Sequence, residues 1–464
     1  MRPSRIIAIF AGLMTDMTYR RIAGRLGRLA GPIMIGQIGV VLVSFADTFM
    51  IGHYGVRDLA AASFVNNVTM ILVLAGLGFS LGLTPLISDA ESKGDRRKVG
   101  TLLREGLKAN AMLAALVAAV LAVLYFNLGR MGQPEELLPL IRPYFLVVSV
   151  SILTTFFFNA FKQFTDGTMR PAVSMVIIIT SNALNIAGNY LLIYGKWGFP
   201  ELGLLGAGIS TLFARFFTVA AMAGYFFLNG RTAEYRRGFA SGDGHGMPGK
   251  IIRLGAPISG QMAMETAAFS VIVIIVGWLG TTALAAHQVM TTISQICYMM
   301  YIAVGSGAAI LISSLKGQGL TREVGMTAKT AYVLTLGLTL ICSCIVLTAI
   351  RPLAALFTGS AEVVSLAVTL VTPFILYQFG DGMQICFSNC LRGIQRVKPI
   401  LPVAFVSYIL ISIPASWLFG IALGFGLRGI WFGYPVSLTL AGIMYLTLFR
   451  RFQKKEAASA SQEA

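Results

Sequence analysis

A chain of 464 residues that is 56% hydrophobic and only 12% charged is too apolar for a soluble domain, in which charged residues run near a quarter. Its net charge of +17 could suit nucleic acid, but the basic residues stand in short clusters between apolar runs, without interleaved aromatics for base stacking. The composition therefore excludes a nucleic-acid partner and points to the lipid bilayer.

In chain order, residues 1–28 form a basic, amphipathic lead-in without a convincing A-x-A cleavage site, expected to lie at the cytoplasmic surface. Apolar spans follow at 29–52, 60–88, 106–127, 142–162, 171–194 and 203–228. After the polar stretch 229–250 they resume at 254–277, 284–314, 327–350, 366–391, 399–421 and 427–449. Each is near the length a helix needs to cross a bilayer, so about twelve transmembrane helices are expected. The stretch 229–250 is Gly-rich and charged and reads as a solvated cytoplasmic linker. The expected organisation is an N-lobe at 29–228, this linker, a C-lobe at 251–450 and a cytoplasmic tail at 451–464.

Lys and Arg orient the spans. With the N-terminus inside, 29 of the 36 basic residues fall on the cytoplasmic side and six in outer loops, and the even span count puts both termini in the cytoplasm. The positive charge is topological.

The two halves repeat. The stretch Gly31 to Ala61 returns 225 residues later as Ala256 to Ala286, matching Pro32 with Pro257, Gly52 with Gly277 and Gly55 with Gly280. Further on, Asn159 and Lys162 correspond to Asn389 and Arg392. Six spans per copy is an even number, so both copies run the same way through the membrane. Such a parallel repeat gives two pseudo-symmetric six-helix lobes around a central cavity.

Ionisable residues inside the spans are few and costly, about 3 kcal/mol at the centre on translocon scales, so they mark candidate function. The candidates are Asp47, Glu265, Asp381, Arg215 and His287. Asp381 stands with Tyr377, Gln378, Gln384 and Ser388 at helical spacings, one polar stripe on an apolar helix. Glu265 has Gln261 one turn before it, and Asp47 shares a face with Ser44 and Gln37. Amide stripes accompany them: Asn182, Asn185 and Asn189 in the fifth span, and Gln288, Thr291, Thr292, Gln295 and Tyr298 in the eighth. These line a cavity or hydrogen-bond across helices. His287 is read as a bonded interfacial histidine, a proton relay or a cavity residue, and Arg215 pairs with a carboxylate or lines the cavity. A carboxylate in low dielectric binds a proton or a cation near neutral pH, so an organic cation, Na+ and H+ compete for it. Alternation of such a site between two faces turns competition into antiport. No nucleotide-binding, metalloprotease or nucleophile-elbow motif appears in the context it requires, so no enzyme activity is expected and an ion gradient is left as the driving force.

The segments P-x14-ADTFMIGHYG-x3-LAA from Pro32, ETAAF-x7-GWLGTTALAAHQ from Glu265 and LRG at Leu391 to Gly393 resemble the multidrug and toxic compound extrusion (MATE) transporters, in particular their NorM-type bacterial branch. The resemblance spans about 29–449. It implies an all-α polytopic protein, V-shaped around its cavity, that exports amphipathic, often cationic compounds in exchange for Na+ or H+. The family's acidic positions match Asp47, Glu265 and Asp381, with Na+, if it is the coupling ion, held at Glu265 and Asp381. In the fifth span the DinF-like branch has Asn followed four residues later by Asp, where this chain has Asn185 and Asn189. Ion coupling is accordingly expected in the C-lobe. The resemblance further implies a multi-pass protein of the cell (inner) membrane, monomeric, with no cofactor beyond the coupling ion. A runner-up within the same superfamily is a flippase for lipid-linked oligosaccharides or peptidoglycan precursors, towards which Arg215 alone leans.

Overall fold

The computed structural model describes residues 17–241 and 246–462, with side chains over 18–241 and 246–455. Residues 1–16 of the expected lead-in, 242–245 of the linker and 463–464 of the tail lie outside the described residues. The helices are α1 (Met17–Tyr54), α2 (Val56–Ser92), α3 (Arg96–Asn127), α4 (Leu138–Gly167), α5 (Pro171–Tyr194), α6 (Gly203–Leu228) and a short α7 (Ala233–Ala240). They continue with α8 (Met247–Gly277), α9 (Thr281–Gly317), α10 (Thr321–Ala355), α11 (Ala361–Thr369), α12 (Val371–Gly393), α13 (Ile400–Ala422) and α14 (Gly426–Gln462).

Among the described residues, eleven helices are long and apolar enough to cross a membrane, and the pair α11 and α12, bent by 52°, makes a twelfth span. The bend has a local cause. Pro373 cannot donate an N–H and its ring crowds the carbonyl four residues back, at Thr369, where α11 ends. Broad apolar faces remain exposed, including Met112, Leu116 and Val123 on α3 and Ile341, Ile345 and Leu347 on α10. In water each would carry the cost of exposed apolar surface; hydrocarbon removes it. The protein is a multi-pass, all-α membrane protein.

The helices form two compact units. One, here the N-unit, comprises Ile35–Ser259; the other, the C-unit, comprises the chain through Met34 together with Gly260–Ala464. The division falls inside α1 and α8 instead of in the loops ahead of them. Within the C-unit, the first half of α1 rests on α9, where a Cβ on Gly307 would lie 3.2 Å from Leu26 and 3.3 Å from the Ala30 nitrogen. Within the N-unit, the first half of α8 rests on α2, and a Cβ on Gly255 would lie 2.5 Å from the Phe79 carbonyl oxygen. The matching placement of the two segments is the duplication made visible.

The N-unit core is built from Ile51, Val65, Phe145, Ile152 and Phe156, with a second cluster around Leu83, Phe164, Phe226 and Tyr235. The C-unit core is an aromatic set, Phe374, Tyr377, Trp431 and Tyr434, surrounded by aliphatic side chains. Its centre is α12, which approaches its neighbours closely: a Cβ on Gly380 would stand 2.9 Å from the Thr439 nitrogen of α14, and one on Gly382 2.9 Å from Thr335 of α10. Small residues of this kind are how helices make contact in lipid. Helix α13 is irregular, with π-helical turns at Phe405–Ser412 and Leu418–Ala422. Such turns often accompany functional sites.

The stretch 229–250 is not the simple solvated loop its composition suggests. Residues Ala233–Ala240 form α7, which docks on α3 with Tyr235 buried and its hydroxyl donating to Glu91 Oε1 at 2.8 Å. Arg96 and Glu234 pair at 2.7 Å, Thr101 Oγ1 donates to the Gly238 carbonyl at 3.0 Å, and Arg236 bonds the Phe227 carbonyl. The approach depends on two glycines: a Cβ on Gly100 would run into the Tyr235 carbonyl, and one on Gly238 into that of Arg97. Burial, then the bond to Glu91, raises the Tyr235 hydroxyl above its ordinary value, so it stays a donor.

Candidate functional site

Each unit carries one polar cluster. In the N-unit, α5 begins at Pro171, whose fixed φ suits a first helical turn, and ends at Gly195, whose left-handed conformation (φ 62°) favours glycine. Between these punctuation marks Asn185 and Asn189 fall one turn apart on the buried face. Asn189 Nδ2 donates to Asp47 Oδ1 of α1 at 2.5 Å and lies 3.4 Å from Asn185 Oδ1. Asn185 Nδ2 in turn donates to Thr211 Oγ1 of α6 at 3.1 Å, and the Asn185 carbonyl accepts from Ser210 Oγ at 2.8 Å. The chain of bonds links α1, α5 and α6 and leaves one buried acceptor, Asn189 Oδ1, without a partner. Arg215 lies within charge reach of Asp47 and donates to Ser151 Oγ at 3.1 Å. It is therefore held by a serine of α4, with the Asp47 charge acting on it from a distance. Ser44, expected beside Asp47, instead returns its hydroxyl to the Val40 carbonyl, and Gln37 is half-buried.

In the C-unit, Asp381 of α12 is buried, and Tyr377 and Gln384 lie against it. Ser294 Oγ of α9 donates to the Tyr377 hydroxyl at 3.0 Å. Four buried atoms here have no hydrogen-bond partner: Asp381 Oδ2, Gln384 Oε1, and both Nε2 and Oε1 of Gln378. An unmet buried polar atom costs about 1–3 kcal/mol, so a concentration of them calls for an occupant. Three of the four are oxygens, the donor set a hard cation takes. Glu265 of α8 is half-buried and within charge reach of Asp381, Arg392, Tyr298 and Tyr408. The Tyr408 hydroxyl, carried by the first π-helical turn of α13, faces Glu265 without an aligned hydrogen bond.

The sequence candidates thus divide. Glu265, Asp381, Tyr298, Tyr377, Gln378 and Gln384 come together in the C-unit, and Asp47, Asn185 and Asn189 in the N-unit. Gln261 does not serve Glu265; its Oε1 accepts from Arg392 Nη2 at 2.9 Å. Gln288 is exposed. His287 is buried with Nδ1 unpaired, its ring 5.5 Å from Trp431 in the aromatic core. The span expected at 366–391 stops one residue short of Arg392, which is buried in the last turn of α12. Its signal was its place one turn beyond Ser388 on the polar stripe. Tyr408 and Thr211 were missed because each sits in an apolar run with little polar periodicity.

Comparison with known proteins agrees with this architecture. The MatE family profile matches the chain twice, at residues 32–191 and 257–418, once in each copy of the repeat. The multidrug resistance protein NorM of Vibrio cholerae is 27% identical over 435 residues, covering 92% of this chain and 94% of that protein. The multidrug resistance protein MdtK of Edwardsiella ictaluri is 28% identical over 457 residues, covering 96% and 99%. Among solved structures, the eukaryotic MATE transporter AtDTX14 superposes with a TM-score of 0.86 at 19% identity, covering 96% of this chain and 99% of that one. A MOP-superfamily transporter from Pyrococcus furiosus gives 0.85 at 18% identity, covering 94% and 97%. A fold of two like units, a family profile matched in both, and near-complete overlap with NorM and MdtK place this chain in the MatE family, as a NorM-like MATE transporter.

Proposed function

We propose that the protein is a secondary-active antiporter that exports amphipathic, often cationic organic compounds in exchange for Na+ or H+. Its relatives NorM and MdtK are named multidrug resistance proteins, and the same broad substrate class is proposed here. The observation that carries the coupling is the buried group of unpaired atoms around Asp381, with Glu265 in charge contact. A proton on Asp381 Oδ2 would supply one missing donor; Na+ would take Asp381 Oδ2 and Gln384 Oε1 as ligands. The proposal includes residence in the cell inner membrane as a monomer, with cytoplasmic termini that the bias of Lys and Arg supports. The flippase alternative loses its one favouring feature, since Arg215 is engaged by Ser151 and the field of Asp47.

The test is efflux of a lipophilic cation from proteoliposomes under an imposed Na+ gradient, then under an imposed pH gradient. One of the two should drive export in the wild type and neither in Glu265→Gln or Asp381→Asn, at equal insertion. Full gradient-driven efflux from both variants would sink the assignment.

A further inference from the structure

The C-unit holds a third buried charge that the coupling scheme above does not use. Arg392 stands in the last turn of α12 with its guanidinium on two amides, Nη2 to Gln261 Oε1 at 2.9 Å and Nη1 to Asn389 Oδ1 at 3.3 Å, and with Nε unpaired. No carboxylate lies within ion-pair distance of it among the described residues, although Glu265 of α8 is near enough for its charge to act on it. The other groups facing it are the hydroxyls of Tyr298 on α9, Tyr408 on α13 and Tyr445 on α14. Asp381 lies three turns back on its own helix, and Lys316 of α9 is occupied with the Ile394 carbonyl at 2.9 Å.

The repeat shows what is unusual about this. Lys162 is the N-unit counterpart of Arg392, and it has its own carboxylate one turn on, pairing with Asp166 at 2.6 Å. At the same step beyond Arg392 the chain has Arg396, which packs on the Phe452 ring. The C-unit copy therefore carries the cation without a carboxylate one turn on. A buried guanidinium on neutral acceptors, with one N–H spare, is poised to answer a negative charge that comes and goes.

We propose that Arg392 is a tethered counter-ion for Glu265: it leans to the carboxylate when the coupling cation departs and falls back on Gln261 and Asn389 when the cation returns. This rests on the C-unit coupling site proposed above. Without a substitute positive charge, a buried carboxylate holds its cation too tightly for turnover, because the emptied state is uncompensated. Arg392 thus competes with the driving ion and is a positioning residue for exchange.

The experiment is the proteoliposome assay with the full chain and ethidium as reporter, titrating the driving cation, Na+ or H+. Arg392→Gln should lower the concentration giving half-maximal efflux about tenfold and slow maximal efflux, since it removes the competitor. Arg392→Lys, which keeps the charge, should restore the half-saturation point. Gln261→Ala takes away the resting acceptor, frees the guanidinium for Glu265, and should shift the half-saturation point upward. If Arg392→Gln fails to insert, the upward shift in Gln261→Ala carries the test. A half-saturation point unmoved in both variants, or moved alike by Arg392→Gln and Arg392→Lys, overturns the proposal and leaves Arg392 as packing. Gradient-driven efflux that survives Glu265→Gln overturns the coupling site beneath it, and this inference with it.

Discussion

The two copies of one ancestral unit have spent their polar residues differently. In the N-unit, Asp47, Asn189, Asn185 and Thr211 hand hydrogen bonds from one helix to the next, and Lys162 has a fixed partner in Asp166. In the C-unit, Asp381, Gln378 and Gln384 present buried atoms that bond to nothing, and Arg392 has no carboxylate of its own. Even at matched positions the charge differs. The residue opposite Asp381 is Ser151, which in the N-unit accepts from Arg215. A nearly satisfied network stiffens a helix packing, whereas an unsatisfied one stores free energy that a ligand releases on binding. On the coupling proposed above, the first cluster is structural and the second is where exchange takes place.

This contrast can be broken in order of expected effect. Asp381→Asn should reduce gradient-driven efflux by about two orders of magnitude, because it removes the charge a buried cation needs, while Asp47→Asn should cost less than about tenfold. Equal damage from the two, read as initial efflux rates at matched protein levels, would erase the distinction. Next comes the docking of α7, a device of the N-unit. Gly238→Ala or Gly100→Ala forces a methyl into backbone carbonyls, and a loss of about 3 kcal/mol should show as lower yield and a lower midpoint in thermal unfolding in detergent. Thr211→Val leaves the Asn185 amide short of an acceptor and should cost about 1–2 kcal/mol by the same measurement, with efflux little changed.

The smallest effect is a pH dependence outside the membrane. The bond from Arg96 holds the exposed Glu234 carboxyl below its ordinary value. A depressed carboxylate stabilises the fold above its unfolded value, near 4.5, and that contribution is lost as pH falls through the folded value. Hydrogen exchange over 233–240 should therefore quicken slightly between pH 5 and pH 3 in wild type and show no such step in Glu234→Gln.

Much of this was legible in the amino acids. Hydropathy marked the spans because lipid imposes a length and an apolarity on any helix that crosses it, and the return of Pro32, Gly52 and Gly55 as Pro257, Gly277 and Gly280 showed the duplication. The tenth span read as one helix because a proline three residues into α12 is compatible with either a kink or a start. The linker misled for a related reason: Gly238, which looked like punctuation, serves helix contact, and only its neighbours reveal it. Asp381 and its stripe were visible since helical periodicity brings Tyr377, Gln378 and Gln384 to one side without any knowledge of the fold.

Amino-acid order alone was enough for a twelve-span, duplicated membrane protein with isolated acids in its spans, because those features depend on local composition and on the fixed thickness of a bilayer. Which polar groups meet was settled by the packed bundle. It brought Asn189 to Asp47 across 142 positions and Arg392 to Gln261 across 131. It set Tyr408 against Glu265 through a π-helical turn that no period in the chain announces. Helix packing in lipid is settled by small faces and close approach, and which face finds which partner is a property of the whole bundle.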